Sequence, residues 1–157
     1  MSLICGSLSA GNIVGVYKVQ GGRMSDMAFA FAKGKYVQLQ RDFDNYEYGT
    51  YQAEKIDGVE CIFVRTFCNK LIFAFKPDGE GYRIVSMALD MDDARAEAAT
   101  GEGLDPRLSN GIYVKAESEP PGDFASEAKK SEAKWSEFWK QHQADLEESR
   151  KEEKGRK

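Results

Sequence analysis

Apolar and polar residues alternate along the chain from residue 12 to residue 117, and turn residues interrupt the alternation roughly every eight to twelve positions. Alternation with a period of two places successive side chains on opposite faces of a strand, and regularly spaced turns are typical of antiparallel strands that follow one another. The pattern predicts strands at 12–19, 27–32, 36–41, 46–55, 59–67, 71–76, 82–89 and 111–116.

Short turns that contain Gly, Asn or Asp join these strands, among them Asp57-Gly58 and Cys68-Asn69-Lys70. These residue types tolerate the positive φ of tight hairpins, so strands that are neighbours in sequence are expected to pair. An open sheet would leave two unpaired edges, and closure removes both of them. The predicted fold is therefore mainly β, an eight-stranded antiparallel up-and-down barrel followed by a C-terminal helix.

Two of the strands alternate bulky with small side chains, in "MAFAFA" at 27–32 and "LIFAFK" at 71–76. Because alternate residues share one face, the bulky residues are expected to line the interior. The predicted inward set is Met27, Phe29, Phe31, Leu71, Phe73 and Phe75.

The hairpin that ends in 71–76 has two registers with different chemical consequences. If Phe67 lies opposite Leu71, then Phe63 and Arg65 face inward beside Phe75 and Phe73. A guanidinium inside an apolar barrel must be paired, and a bound carboxylate or other anion would pair it. In the other register, shifted by one residue, Arg65 points to solvent. The sequence alone leaves both registers open, because Ile62 and Val64 make the second face of this strand equally apolar.

Residues 90–110 break the alternation. Asp90 or Asp92 is expected to cap a short helix that ends at Gly101, and a connection of this length is often a lid or a binding loop. Pro120-Pro121 marks a further boundary, because the residue before a proline avoids the helical region. The predicted organisation is a leader or stub at 1–11, a barrel domain at 12–117, a linker at 118–125 and a helix with a charged tail at 126–157.

The C-terminal helix carries an aromatic stripe on an otherwise charged surface. Its residues recur at helical spacings and comprise Trp135, Phe138, Trp139, His142 and Leu146. Such a stripe needs a covering surface, either the outer wall of the barrel or a protein partner or second copy of the chain. Trp135, Phe138 and Trp139 are the candidate partner-binding residues.

Charge and candidate chemistry narrow the function classes. The chain has 22 basic and 26 acidic residues, a net charge of −4, and the two signs are interspersed. This distribution argues against nucleic-acid binding, which requires clustered cations. The spacing of the Cys and acidic residues predicts no metal site or other cofactor, and the sole histidine, His142, gives no basis for a catalytic triad. The sequence therefore favours a binding protein over an enzyme and leaves a Glu- or Tyr-based catalytic site open.

The compartment is less constrained. Three irregularly spaced cysteines favour reduced thiols and the cytoplasm, whereas a removed leader would indicate the periplasm or secretion. The N-terminal apolar run is too short for a signal peptide or a membrane span.

Two short motifs resemble the lipocalin and calycin group: Asn12-x-x-Gly15-x-Tyr17, and Gly49-Thr50-Tyr51, which is similar to a turn in small bacterial lipocalin-like domains. The family usually has tryptophan at the position of Tyr17, where the aromatic ring closes the base of the barrel. The basic residue that the family carries near its last strand could only be Lys115. The expected role of Gly15 is to let another element approach the backbone of the first strand.

Two main functions follow as hypotheses, and a third, minor hypothesis is an enzyme that uses carboxylates or tyrosines of the barrel. The first is a non-enzymatic lipocalin-like barrel that binds a small apolar or anionic amphipathic ligand. Its interior would be lined by Phe29, Phe31, Phe63, Phe73 and Phe75, with Arg65 as the polar anchor. The alternative is an interaction module, such as an inhibitor or assembly factor, that acts through the aromatic helix or the 90–110 loop.

Overall fold

The computed structural model describes residues 13–20, 27–40, 45–101, 111–118 and 124–155. Its elements in chain order are β1 (Gly15–Gln20), β2 (Ala28–Phe31), β3 (Tyr36–Gln40), β4 (Tyr46–Ile56), β5 (Val59–Thr66), β6 (Ile72–Asp78), β7 (Gly81–Ala88), α1 (Met91–Thr100), β8 (Ile112–Glu117) and α2 (Ala125–Gly155). Every strand pairs antiparallel with its sequence neighbours, and β1 also pairs with β8. The predicted closed eight-stranded barrel with a C-terminal helix is confirmed.

Gly15 lies at the seam where the barrel closes. It has φ +140°, and a Cβ added there would lie 2.6 Å from the carbonyl oxygen of Glu117 on β8. A side chain would therefore hold β1 and β8 apart, as expected from the sequence. Gly49 on β4 serves the same purpose beside β5, because a Cβ there would overlap the backbone of Arg65.

The interior contains one large apolar cluster, and the predicted inward residues belong to it. Leu71 is partly buried at its edge, and the other five are buried. Ile13, directly before β1, is also buried in this cluster. The remaining members are Tyr17, Val19, Val37, Leu39, Tyr51, Ile62, Val64, Tyr82, Ile84 and Tyr113.

Both helices cover the outside of the barrel. Helix α1 buries Ala94 and Ala98 in a cluster with residues of β5, β6 and β7, including Ala74. Phe124 and Ala128, at the start of α2, are buried in a cluster with residues of β1, β2 and β3. The small residues of the alternating strands thus face outward, where a helix approaches them closely.

The expected position of Phe63 and Arg65 inside the barrel is wrong. Arg65 pairs with Ile72 and Phe63 pairs with Ala74, so the register is shifted by one residue from the pairing of Phe67 with Leu71. The reason is a longer turn: the backbone N–H of Thr66 bonds to the Leu71 carbonyl, and Lys70 has φ 57°. Phe63 is consequently buried on the outer face under α1, and Arg65 is exposed.

The predicted short helix is confirmed as α1, capped by Asp90 and ended by Gly101. Several other predictions lie outside the described residues: the leader or stub at 1–11, Asn12 of the first motif, the loop beyond Gly101 up to residue 110, and Pro120-Pro121.

Candidate functional site

The interior of the barrel is lined with aromatic rings. Phe29 lies at their centre, with its ring centroid 4.9 Å from that of Phe75, 5.3 Å from Tyr113 and 5.8 Å from Phe73, all in edge-to-face geometry. Phe31 lies 6.3 Å from Phe75. The structure thus brings together four of the predicted ligand-lining residues, Phe29, Phe31, Phe73 and Phe75, on one inner surface. It does not bring Phe63 or Arg65 to them.

One end of the barrel carries the β2–β3, β4–β5 and β6–β7 turns, and we call it the hairpin end. Tyr17 is buried near this end, with its ring 5.6 Å from that of Phe31. Lys115 of β8 pairs with Tyr17 and places its Nζ 5.8 Å from the ring centre. A Cβ at Gly15 would also approach the Lys115 Cε, at 3.3 Å. Gly15, Tyr17 and Lys115 therefore form one packed group at the closure seam.

Three more phenols lie in the interior, and they differ in their hydrogen bonds. The Tyr51 hydroxyl donates to the Ala32 carbonyl oxygen at 2.6 Å. Tyr82 and Tyr113 are 5% and 3% exposed, and among the described residues no group hydrogen-bonds to either hydroxyl. Burial raises the pKa of Tyr113 to about 12 and also raises the pKa of Tyr82, so both phenols are protonated at neutral pH.

The first turns of α2 and Trp139 attach the helix to the barrel. Tyr36 donates a hydrogen bond to Glu132 Oε1 at 2.9 Å, and the Trp139 Nε1 donates to the Phe67 carbonyl oxygen at 2.9 Å. The Lys70 Nζ lies 4.8 Å from the centre of the Trp139 ring. The barrel wall therefore covers part of the aromatic stripe.

Other residues of the stripe remain exposed. Phe138 is 49% exposed and Leu146 is 46% exposed. The His142 ring stacks on Phe138 with centroids 6.1 Å apart. One groove of about 420 Å³ runs between α2 and β4, beside Trp135, and another of about 290 Å³ lies between Lys70 and the distal part of α2, beside Trp139 and Leu146.

The thiols described by the structure are poor nucleophiles. Burial raises the pKa of Cys61, and burial together with Glu47 raises the pKa of Cys68. A raised pKa keeps a thiol protonated, whereas the thiolate is the reactive form. Within the described part of the chain, no group of three or more His, Cys, Asp or Glu side chains could hold a metal ion. Neither α1 nor α2 combines the length and apolar character needed to cross a membrane.

Comparison with known proteins gives no match: no family model, curated protein or solved structure is significantly similar to this chain.

Sequence reasoning missed Tyr82 and Tyr113, the two buried phenols that lack a hydrogen-bond partner in the described part of the chain. The sequence predicts that Tyr82 and Tyr113 lie on strands, but their juxtaposition depends on the register between β7 and β8, which are separated in sequence by residues 89–111. Tyr-containing strands are common whether or not anything binds to them, so the sequence carries no signal for this pair.

Proposed function

We propose that this chain is a lipocalin-like binding protein whose barrel takes one small, largely apolar ligand. The observation that carries the proposal is the single aromatic surface formed by Phe29, Phe31, Phe73 and Phe75 inside a closed barrel. The packed group of Gly15, Tyr17 and Lys115 supports the lipocalin-like assignment, because the resemblance implies a glycine, an aromatic ring and a basic residue at this place.

The direct contacts between the rings limit the ligand. A barrel of eight strands is just wide enough to be filled by its own side chains or to hold one small ligand. Since Phe29 already contacts three neighbouring rings at the distances given above, a ligand must be compact and must displace or extend this ring cluster. A compact ligand gains about 25 cal/mol for each Å² of apolar surface that it buries.

Two measurements on the full-length chain test this proposal. Native mass spectrometry of protein purified without delipidation is expected to show a co-purified small molecule. Prodan, a compact and neutral naphthalene ketone whose fluorescence reports its surroundings, is expected to bind the delipidated protein saturably with one site. Phe73→Trp places a reporter on the inner wall that should respond to Prodan, whereas Ala144→Trp on the exposed part of α2 should not. Absence of saturable binding would reject the proposal.

The exposed stripe of α2 favours a second candidate function, self-association through this helix. Phe138, His142 and Leu146 lie four residues apart and therefore form one ridge along the helix. In an antiparallel pair of helices centred on His142, Phe138 of one copy lies opposite Leu146 of the other. A second copy of the chain is the occupant that we propose, because the ridge is complementary to itself in this arrangement.

Sedimentation velocity tests the second candidate. A dimer is expected at micromolar concentrations, and Phe138→Ser with Leu146→Ser is expected to convert it to a monomer. The matched control is Ala144→Ser, which lies on the same exposed segment but outside the ridge. A monomer at all concentrations in the unmodified chain would exclude this candidate and would leave the ligand-binding proposal intact.

A further inference from the structure

Tyr82 and Tyr113 lie directly opposite each other on β7 and β8. Tyr82 is the second residue of β7, close to the β6–β7 turn, whereas Tyr113 is the second residue of β8, which begins at the opposite end of the barrel. The Tyr82 ring is 5.8 Å from Tyr17, and the Tyr113 ring is 5.7 Å from Phe75. The two phenols therefore border the aromatic inner surface.

A buried hydroxyl without a hydrogen bond is unfavourable, and almost all buried polar groups in native proteins have a partner. Tyr51 follows this rule through its bond to Ala32. Tyr82 and Tyr113 have no such partner among the residues that the structure describes, although their hydroxyls are both buried. Two buried hydroxyls on paired residues of the inner cluster, neither with a partner among the described residues, indicate a polar atom that comes from a ligand.

The charges near the pair favour an uncharged polar atom. Among the described residues, no Lys or Arg side chain is buried, and Lys115 beside Tyr17 is exposed. Arg65, which would have paired an anion, lies on the outer face. Burial is the main cause of the raised pKa of Tyr82, and Tyr17 and the negative charge of Glu60 raise it further. An anion without a cation in this environment would be strongly unfavourable.

We propose that the Tyr82 and Tyr113 hydroxyls form the polar recognition site of the barrel and donate hydrogen bonds to an uncharged acceptor, such as a ketone, ester or amide carbonyl, on the ligand. This inference rests on the proposed ligand-binding function and names the chemistry of the ligand's polar end. It replaces the anionic ligand expected from an inward Arg65.

Three related fluorescent probes test the inference on the delipidated full-length chain. Prodan carries a neutral carbonyl, dimethylaminonaphthalene is the same ring system without the propionyl group, and anilinonaphthalene sulfonate is an anion. Prodan is expected to bind at least about tenfold more tightly than either comparison probe. Tyr82→Phe and Tyr113→Phe are each expected to lower the affinity for Prodan about fivefold, because each removes one hydrogen bond. The affinity for dimethylaminonaphthalene should not change. Prodan emission should also shift to shorter wavelength in both variants as its carbonyl loses a donor.

Tyr51→Phe is the matched control, since it removes a buried phenol whose hydroxyl bonds to the protein. It is expected to lower the urea midpoint of the ligand-free protein without changing the preference among probes. Tyr82→Phe and Tyr113→Phe are expected to leave that midpoint unchanged or to raise it. This second readout is independent of any added probe.

The outcomes separate the two proposals. If Prodan binds but the Tyr82 and Tyr113 variants keep its affinity and emission, the recognition site is wrong and the binding function stands. Tighter binding of the sulfonate, or a fall of the urea midpoint in these variants as large as in Tyr51→Phe, would also overturn the inference. If none of the three probes binds, both proposals fail.

Discussion

Helices α1 and α2 both lie against the outer wall of the barrel, but they cover it in different ways. The ten residues of α1 lie against β6 and β7, with Ala94 and Ala98 buried in the interface and Arg95 paired to Glu54 at 2.7 Å. Helix α2 has 31 residues, of which Ala128 is the buried one, and residues 140–155 are exposed throughout.

The two helices therefore differ in function: α1 covers the barrel wall, whereas the distal part of α2 exposes apolar residues to solvent. Alanine permits a helix to approach a sheet closely, and α1 uses it at both buried positions. The distal part of α2 is exposed, yet it continues the apolar ridge with His142 and Leu146. Exposed large apolar residues in a row are unfavourable in water unless another surface covers them. The start of α2 therefore belongs to the fold, whereas its distal part is available for binding.

Two truncations should give the largest difference in stability between the start and the distal part of α2. Removing residues 124–157 uncovers the cluster that contains Phe124 and Ala128, and it should lower the free energy of unfolding by about 3–5 kcal/mol, because buried apolar area is lost. Removing residues 140–157 should change it by less than about 0.5 kcal/mol. Urea denaturation followed by far-ultraviolet circular dichroism measures both. Equal effects of the two truncations would contradict the division of α2 into two parts.

A matched pair of substitutions compares the two helices directly. Ala98→Leu inserts three heavy atoms into the α1 interface, where Ala98 is fully buried, and should destabilise the protein by about 1–3 kcal/mol through overpacking. Ala144→Leu makes the same change on the exposed part of α2 and should cost less than about 0.5 kcal/mol. Urea midpoints measure both variants, and a neutral Ala98→Leu would show that α1 does not pack tightly on the barrel.

The barrel itself was predictable from the sequence because each strand has a local signal. Alternation placed Phe29, Phe31, Phe73 and Phe75 inside, and Asp57-Gly58 has the positive φ values expected of its turn, 50° and 81°. Gly101 likewise ended α1 as expected. These features depend on a few neighbouring residues and on the preference for closed sheets.

The register of β5 on β6 was not predictable, because both faces of β5 are apolar. Its outer face is apolar because α1 covers it, and its inner face belongs to the core of the barrel. Cys61 and Phe63 on one side and Ile62 and Val64 on the other are all buried. A one-residue change in turn length then exchanged the faces and moved Arg65 outside. The small outward residues Ala28, Ala30 and Ala74 were a usable signal for the covering helices, since small side chains on the outer face of a strand permit close approach.

The smallest expected effect on stability identifies the last residue of α2 that contacts the barrel. Trp139→Phe removes the Nε1–H that donates to the Phe67 carbonyl, and it should cost about 1 kcal/mol of unfolding free energy. Trp135→Phe removes an Nε1–H that bonds to no described residue, so it should cost less. Urea denaturation of both variants at one pH measures the difference.

If Trp135→Phe were the costlier of the two, the attachment of α2 would lie nearer its start, beside the groove that Trp135 lines with β4. Trp139 would then belong with Phe138 and Leu146 to the exposed surface that is available to a second copy. The expected order instead fixes Trp139 as the last residue that holds α2 to the barrel, because its indole both donates to the β5–β6 turn and lies under Lys70. Self-association would then depend on Phe138, His142 and Leu146 without disturbing the fold.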